Sequence, residues 1–355
     1  MLDSAPVSLR VRLNRSRDPP LVIKGVLGTV AAPLVFRTEP GARSLATFTS
    51  GTLDRGAGAS LADVDHVHLY DLRLTRALVG LACTGCAHVR VEGLTVEELG
   101  QAGVHIGRHR TGGEAPRFVG SASHHCDVVG NTIRNTGLAT ARYGEGVYIG
   151  TGGLQGDQTH HILVAGNHVL DTRAEGIEIK AHTHHVVVRD NVVEGGSHFF
   201  HGAITVGAQA FDAPDGHYLI EGNRVHGFRA TEGGTVAGIA VGHGTTVVRG
   251  NVVWDIDGGW GIRLTTTFAN PEARDVRLED NTIWTPGGGP SLALAHGDER
   301  TGMTDGLARA TLSGNRTDDG SAGSFQLPDA ALQAERLLPA VVFDPQTITI
   351  PADAK

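Results

Sequence analysis

"VVGNTI" at Val128–Ile133, "LVAGNHV" at Leu163–Val169 and "VVRDNVV" at Val187–Val193 are three statements of one phrase. It returns as "LIEGNRV" (Leu219–Val225), "VVRGNVV" (Val247–Val253), "RLEDNTI" (Arg277–Ile283) and "TLSGN" (Thr311–Asn315), so its asparagine falls at 131, 167, 191, 223, 251, 281 and 315. Leu72 and Leu94 take the asparagine slot in two earlier copies, and the spacing runs from 22 to 37 residues. A period of that size marks a solenoid: one repeat cannot bury its own inner face, and stacked repeats share a continuous core.

Each period reads as two short β-branched strands with glycine-rich corners, and no helical periodicity intervenes until near the end. Alternation points the residues five and three before the asparagine inward, such as Ile162 and Val164 or Val186 and Val188, together with the residue two after it, such as Val169 or Val193. The asparagines sit at the corner, where they tolerate left-handed backbone and can hydrogen-bond up the stack. Cys83 and Cys126 fall on inward positions, so the three cysteines, Cys86 included, read as core rather than as a metal or redox site. The phrase resembles the right-handed parallel β-helix of the pectin-lyase-like superfamily over residues 20–317. That resemblance implies an all-β, single-stranded solenoid over 1–317, of nine to eleven coils and monomeric. Residues 318–355 form a cap or tail, in which "PDAALQAERLL" from Pro328 reads as a short helix.

Composition agrees. Glycine is 50 of 355 residues and aromatics are 5%, which suits a turn-rich β protein, and 40% hydrophobic content supports a sizeable core. A formal charge of −8 leaves no broad basic face, which excludes general nucleic-acid binding, so an anionic partner must be met by local cations. No apolar run is long enough to span a membrane and the start lacks a signal-peptide core, so the chain as written is expected in the cytoplasm, or exported if the true start lies upstream.

Six of the 19 histidines, His66, His88, His125, His161, His185 and His217, lie six residues before the asparagine slot, and His124, His160 and His184 stand beside three of them. They read as imidazoles stacked at a corner, because a metal site needs converging ligands rather than an open stripe. The strand written G-φ-x-φ is more informative. Its middle residue faces outward, giving the column Ala82, His105, Tyr148, Glu178, Thr205, Ala240, Arg263 and Ala293. The residue before its glycine gives Ala102, Glu145, Glu175, Gly202, Ala237 and Trp260. Lys180 holds a third column, otherwise Gly107, Gly150, Gly207, Gly242 and Thr265.

Glu145 and Glu175 therefore stack on adjacent rungs about 5 Å apart, with Glu178 and Lys180 on the same exposed face. Carboxylates that close repel unless a cation or a proton lies between them, and oxygen ligands from neighbouring coils suit Ca²⁺. The bland alternative is a solvated Glu–Lys patch. Insertions after Gly107, Ile149 and Val206 all leave the solenoid at the end of this strand, as groove walls do. His105, Arg108, His182 and Trp260 are the expected sugar contacts along that groove, with Trp254 a further stacking surface.

A uronic-acid polymer carries an acidic proton at C5, whose removal needs a close base and a positive charge near the neighbouring carboxylate. "AEGIEIK", Ala174–Lys180, resembles the E-x-x-x-x-K rung of polysaccharide lyase family 6, the alginate lyases and dermatan-cleaving chondroitinases of this fold. That resemblance implies Glu175 as a Ca²⁺ ligand and Lys180 as the base. The family's arginine on the next coil is missing, since Gly207 stands there, and His201, Arg263 or Tyr148 are the candidates for its part. The alternatives are a uronate C5 epimerase, which shares the first step, a glycoside hydrolase of the same fold, and a non-catalytic solenoid that binds glycan or protein.

Overall fold

The computed structural model describes residues 19–111, 117–140, 143–152, 156–180, 182–198, 202–208, 217–230, 236–242, 244–265, 275–285, 292–295, 310–317, 325–326 and 341–343. They wind into a right-handed parallel β-helix. Its coils feed three parallel sheets, of eleven, eleven and ten strands among the described residues. The first sheet contains Val104–Gly107, Val147–Ile149, Ile177–Lys180 and Gly202–Ala208 in that order. From each, the chain passes to the second sheet, as at His160–Ala165 and His184–Arg189, and then to the third, as at His168–Thr172 and Val192–His198.

A coil thus has three strands rather than the two expected. The repeat phrase straddles a one-residue corner between the second and third sheets, so two strands read as one. Gly130, Gly166, Asp190, Gly222, Gly250, Asp280 and Gly314 turn that corner with φ of 54–64°. The left-handed residue is therefore the one before the asparagine, and the asparagine itself is inside.

Each asparagine is satisfied by its neighbours. Asn167 Oδ1 accepts both the backbone N–H and the Nδ2 of Asn131 at 2.9 Å, while Asn167 Nδ2 donates to Val128 O at 2.8 Å and to Asn191 Oδ1 at 2.9 Å. The same pattern runs on through Asn223, Asn251 and Asn281 to Asn315. At the other end, Asn131 Oδ1 accepts the Leu94 N–H at 2.9 Å, where leucine replaces the amide.

Ile162, Val164, Val169, Val186, Val188 and Val193 are all at most 1% exposed, as the alternation requires. Val169 and Val193 also explain the glycine of the first-sheet strands. A Cβ on Gly146 would meet Val169 Cγ1 at 2.4 Å, and one on Gly176 would meet Val193 Cγ1 at 2.3 Å. Third-sheet valines pack where those side chains would be, so Glu145 and Glu175 are each followed by glycine. Cys126 is a buried free thiol, with burial pushing its pKa up to about 12. Cys83 and Cys86, read from sequence as core residues only, close a disulfide, because the turn at Gly85 (φ 64°) brings Cys86 back against its partner.

The short strands Phe325–Gln326 and Val341–Phe343 pair in parallel with Leu292–Ala295 and Ala310–Ser313. The helix expected from Pro328 lies outside the described residues. Among the described residues, no helix is long and apolar enough to cross a membrane.

The ladder makes a sharp energetic prediction. Asn191→Ala strips acceptors from the Asn167 N–H and amide and a donor from Val164 O. At roughly 1–3 kcal/mol per buried group left unsatisfied, urea unfolding followed by circular dichroism should show a loss of at least about 3 kcal/mol. Val187→Thr on the outer face should change stability by less than about 0.5 kcal/mol.

Candidate functional site

The outward column of the first sheet pairs as aligned from sequence: His105 with Tyr148, Tyr148 with Glu178, Glu178 with Thr205, Thr205 with Ala240 and Ala240 with Arg263. The third column does not hold throughout. A register shift after Ile179 pairs Lys180 with Ala208 and passes over Gly207. Below it, Gly150 leaves room for the lysine, since a Cβ there would lie 3.1 Å from Lys180 Cβ.

Glu145, Glu175 and Glu178 each offer a carboxylate oxygen within 4.8 Å of the others. Lys180 Nζ donates to Glu178 Oε1 and lies 5.3 Å from the centre of the Tyr148 ring. The strip expected on an exposed face is buried: Glu145 and Glu175 are 5% exposed, Glu178 1% and Lys180 7%. The next outward residues, Thr205, Ala240 and Arg263, are also buried, so the outer face is covered along this stretch of the sheet. Strand alternation separates core side from outer side, but it does not say whether the outer side is open to solvent.

Burial sets the electrostatics. It raises the Glu145 carboxyl to about 7, with the charge of Glu178 adding to it. Burial, then Glu178 and Glu145, push Glu175 well above its ordinary value. At Lys180 burial acts to lower the pKa, but Glu178, Glu175 and Glu145 together outweigh it and hold the ammonium above its usual range. Burial, reinforced by Glu178, likewise holds the Tyr148 phenol well up, so it stays protonated. Glu178 Oε2 is buried with no hydrogen-bond partner.

The remaining candidates are placed otherwise. His105 Nε2 lies 3.2 Å from Gly150 O and 3.3 Å from Thr151 Oγ1, which ties the ring to the following coil. Arg108 donates from Nε to Gly120 O at 3.0 Å and from a terminal nitrogen to Gly156 O at 3.2 Å, so it braces the insertions. Tyr148 Oη accepts the Gly152 N–H at 2.9 Å. His182 is buried to the same degree as the glutamates and Lys180. Arg263 sits three rungs from Glu178, about 14 Å away, with its guanidinium 4.9 Å from the Trp260 ring centre; burial lowers its pKa to about 10. Trp254 stacks on His226 at 4.1 Å in the third sheet, away from this face. His201 lies outside the described residues.

Asp157 was missed by sequence reasoning. Its buried carboxylate accepts the Arg108 N–H at 2.8 Å and the Thr159 N–H at 3.0 Å, pinning one insertion to another. The local phrase Asp-x-Thr, which favours a side-chain-closed turn, was the available signal.

No protein family and no curated protein matches the chain by sequence. Among solved structures, an alginate lyase from Paenibacillus sp. str. FPU-7 is similar over 86% of this chain and 87% of its own, at 19% identity and a TM-score of 0.56. The A-module of a mannuronan C-5 epimerase from Azotobacter vinelandii matches over 85% and 79%, at 14% identity and 0.47. An endo-xylogalacturonan hydrolase from Aspergillus tubingensis matches over 81% and 85%, at 14% and 0.46. The likeness to the alginate lyase shows the shared fold.

The raised carboxyls make stability fall with pH. The folded protein keeps protons on Glu145 and Glu175 where the unfolded chain has lost them, so their stabilisation is complete below about pH 4.5; the Glu145 part is lost as pH rises through about 7, and the Glu175 part as pH rises through that group's raised pKa. Without divalent cations, the melting temperature should drop between those limits. Glu145→Gln should flatten the slope and raise stability above pH 7.5 by on the order of 3 kcal/mol.

Proposed function

We propose that the protein is a carbohydrate-active enzyme that cleaves an anionic, uronic-acid polysaccharide or oligosaccharide by β-elimination. Lys180 is the base, and Glu145, Glu175 and Glu178 hold Ca²⁺. One observation carries this reading: three buried carboxylates converge beside one buried ammonium, and an oxygen of the central carboxylate has no partner. Oxygens within 4.8 Å of one another suit an ion that binds each at about 2.3–2.6 Å.

Bound there, Ca²⁺ supplies positive charge to the substrate carboxylate and cancels that of the glutamates. Burial acts to lower the Lys180 pKa, and a cation held by the glutamates would offset the carboxylates that raise it. Neutral Lys180 Nζ then takes the C5 proton. The C5–H pair becomes the C4–C5 double bond, and the C4–O4 bond breaks toward the leaving sugar. Tyr148, kept protonated and beside Lys180, is placed to return a proton to that oxygen.

The test is a panel of uronate oligosaccharides followed by the absorbance of the unsaturated product. Chelator should abolish turnover and Ca²⁺ restore it. Lys180→Ala should lower turnover at least ~10²-fold and, because Glu178 is left buried without its ammonium, cost about 3–5 kcal/mol of stability. Lys180→Arg separates the two effects, since a guanidinium keeps the ion pair but does not give up its proton. It should melt near the native temperature and stay inactive. Inversion at C5 without unsaturated product would favour the epimerase, and tight binding without turnover would favour the binding module.

A further inference from the structure

The geometry points to a second metal site, independent of the glutamates: we propose that the histidine corner chelates late first-row divalent ions, Cu²⁺ most tightly, with capacity for two. His66, His88, His125, His161 and His185 turn the corner into the second sheet with φ of 50–54°. Left-handed backbone alone does not require histidine, because the corner before each asparagine is turned by glycine or aspartate.

The outer rings stack from coil to coil, His125 on His161 at 4.6 Å and His161 on His185 at 4.7 Å. His124, His160 and His184 make a second stack beside them, at 5.2 and 4.8 Å. Read from sequence, these were parallel rings with no convergence. In the structure the two stacks turn their nitrogens toward each other. The Nδ1 atoms face at 3.0 Å for His124 and His125, 2.7 Å for His160 and His161, and 2.8 Å for His184 and His185.

A third nitrogen joins each pair from an adjacent coil. His88 joins His124 and His125, His125 joins His160 and His161, and His161 joins His184 and His185, with the three nitrogens of each group within 4.8 Å. Two nitrogens 2.7–3.0 Å apart subtend about 90° at an ion that binds each at about 2.0–2.1 Å. That angle suits tetragonal Cu²⁺ or Ni²⁺ better than tetrahedral Zn²⁺, and Cu²⁺ leads in intrinsic affinity.

Sharing sets the capacity. The middle group uses His125 and His161, which the outer groups need, and the Asp65, His66 and His88 group competes for His88, so at most two ions find three ligands each. Titration of the full chain with Cu²⁺ by calorimetry should give two equivalents, with a nitrogen-rich tetragonal spectrum in electron paramagnetic resonance. Asparagine tolerates this backbone, so the variants keep the corner. His161→Asn should bind one ion. Combined with His125→Asn, it leaves only the Asp65, His66 and His88 group and should weaken binding at least ~10-fold, the smallest loss seen even for an outer-shell partner. Glu145→Gln should leave the titration unchanged, which separates this site from the glutamate cluster. The proposal is overturned if the wild type binds less than one equivalent, if the double variant binds as the wild type does, or if Zn²⁺ binds as tightly as Cu²⁺.

Discussion

The solenoid depends on the amide of a buried asparagine, which has two donors and two acceptor sites and satisfies them only when the coils above and below lie one rung away. Strand pairing already sets that rung at about 4.8 Å. The asparagine adds registration, because its Nδ2 must meet a carbonyl of the coil before and the Oδ1 of the coil after at once. A slip of one residue would leave several buried polar groups unpaired in every coil, at roughly 1–3 kcal/mol each. Long insertions of unrelated length can therefore leave the solenoid without disturbing which residues stack.

That registration places Glu175 above Glu145 and Glu178 above Tyr148, and so brings three carboxylates close together. The same chain holds a contrasting case. Glu97 is also buried, but it accepts from Arg73 at 2.6 Å and from Arg134 at 2.7 Å. Burial acts to raise the Glu97 pKa, and the hydrogen bonds from Arg134 and Arg73 overcome it and hold the carboxyl below its ordinary value. At the glutamate cluster, Lys180 pairs with Glu178, and the carboxyls of Glu145 and Glu175 rise instead. Carboxyls shifted by burial and by one another are a feature of sites that bind cations or transfer protons, and structural ion-pair networks also shift them.

The histidine corner obeys the same registration with different chemistry. Its rings stack from coil to coil at 4.6 and 4.7 Å, the spacing that strand pairing sets. Glutamates and histidines present hard oxygen and borderline nitrogen donors respectively.

The repeat was legible from sequence, because the inward alternation and the asparagine recur coil after coil. The outward columns followed from it, including the stacking of Glu145 on Glu175 and of Tyr148 on Glu178. The third strand was not legible, since a corner turned by one glycine or aspartate leaves no gap in the pattern. Nor was the shift that pairs Lys180 with Ala208, which is a local irregularity of one coil. Sequence period determines which residues share a column and which side of the sheet they face. Burial of that face, the disulfide between Cys83 and Cys86, and the meeting of paired imidazoles across a corner have no periodic signature in the sequence. Only the tertiary structure decided those, because they depend on where backbone returns in space rather than on how residues recur along it.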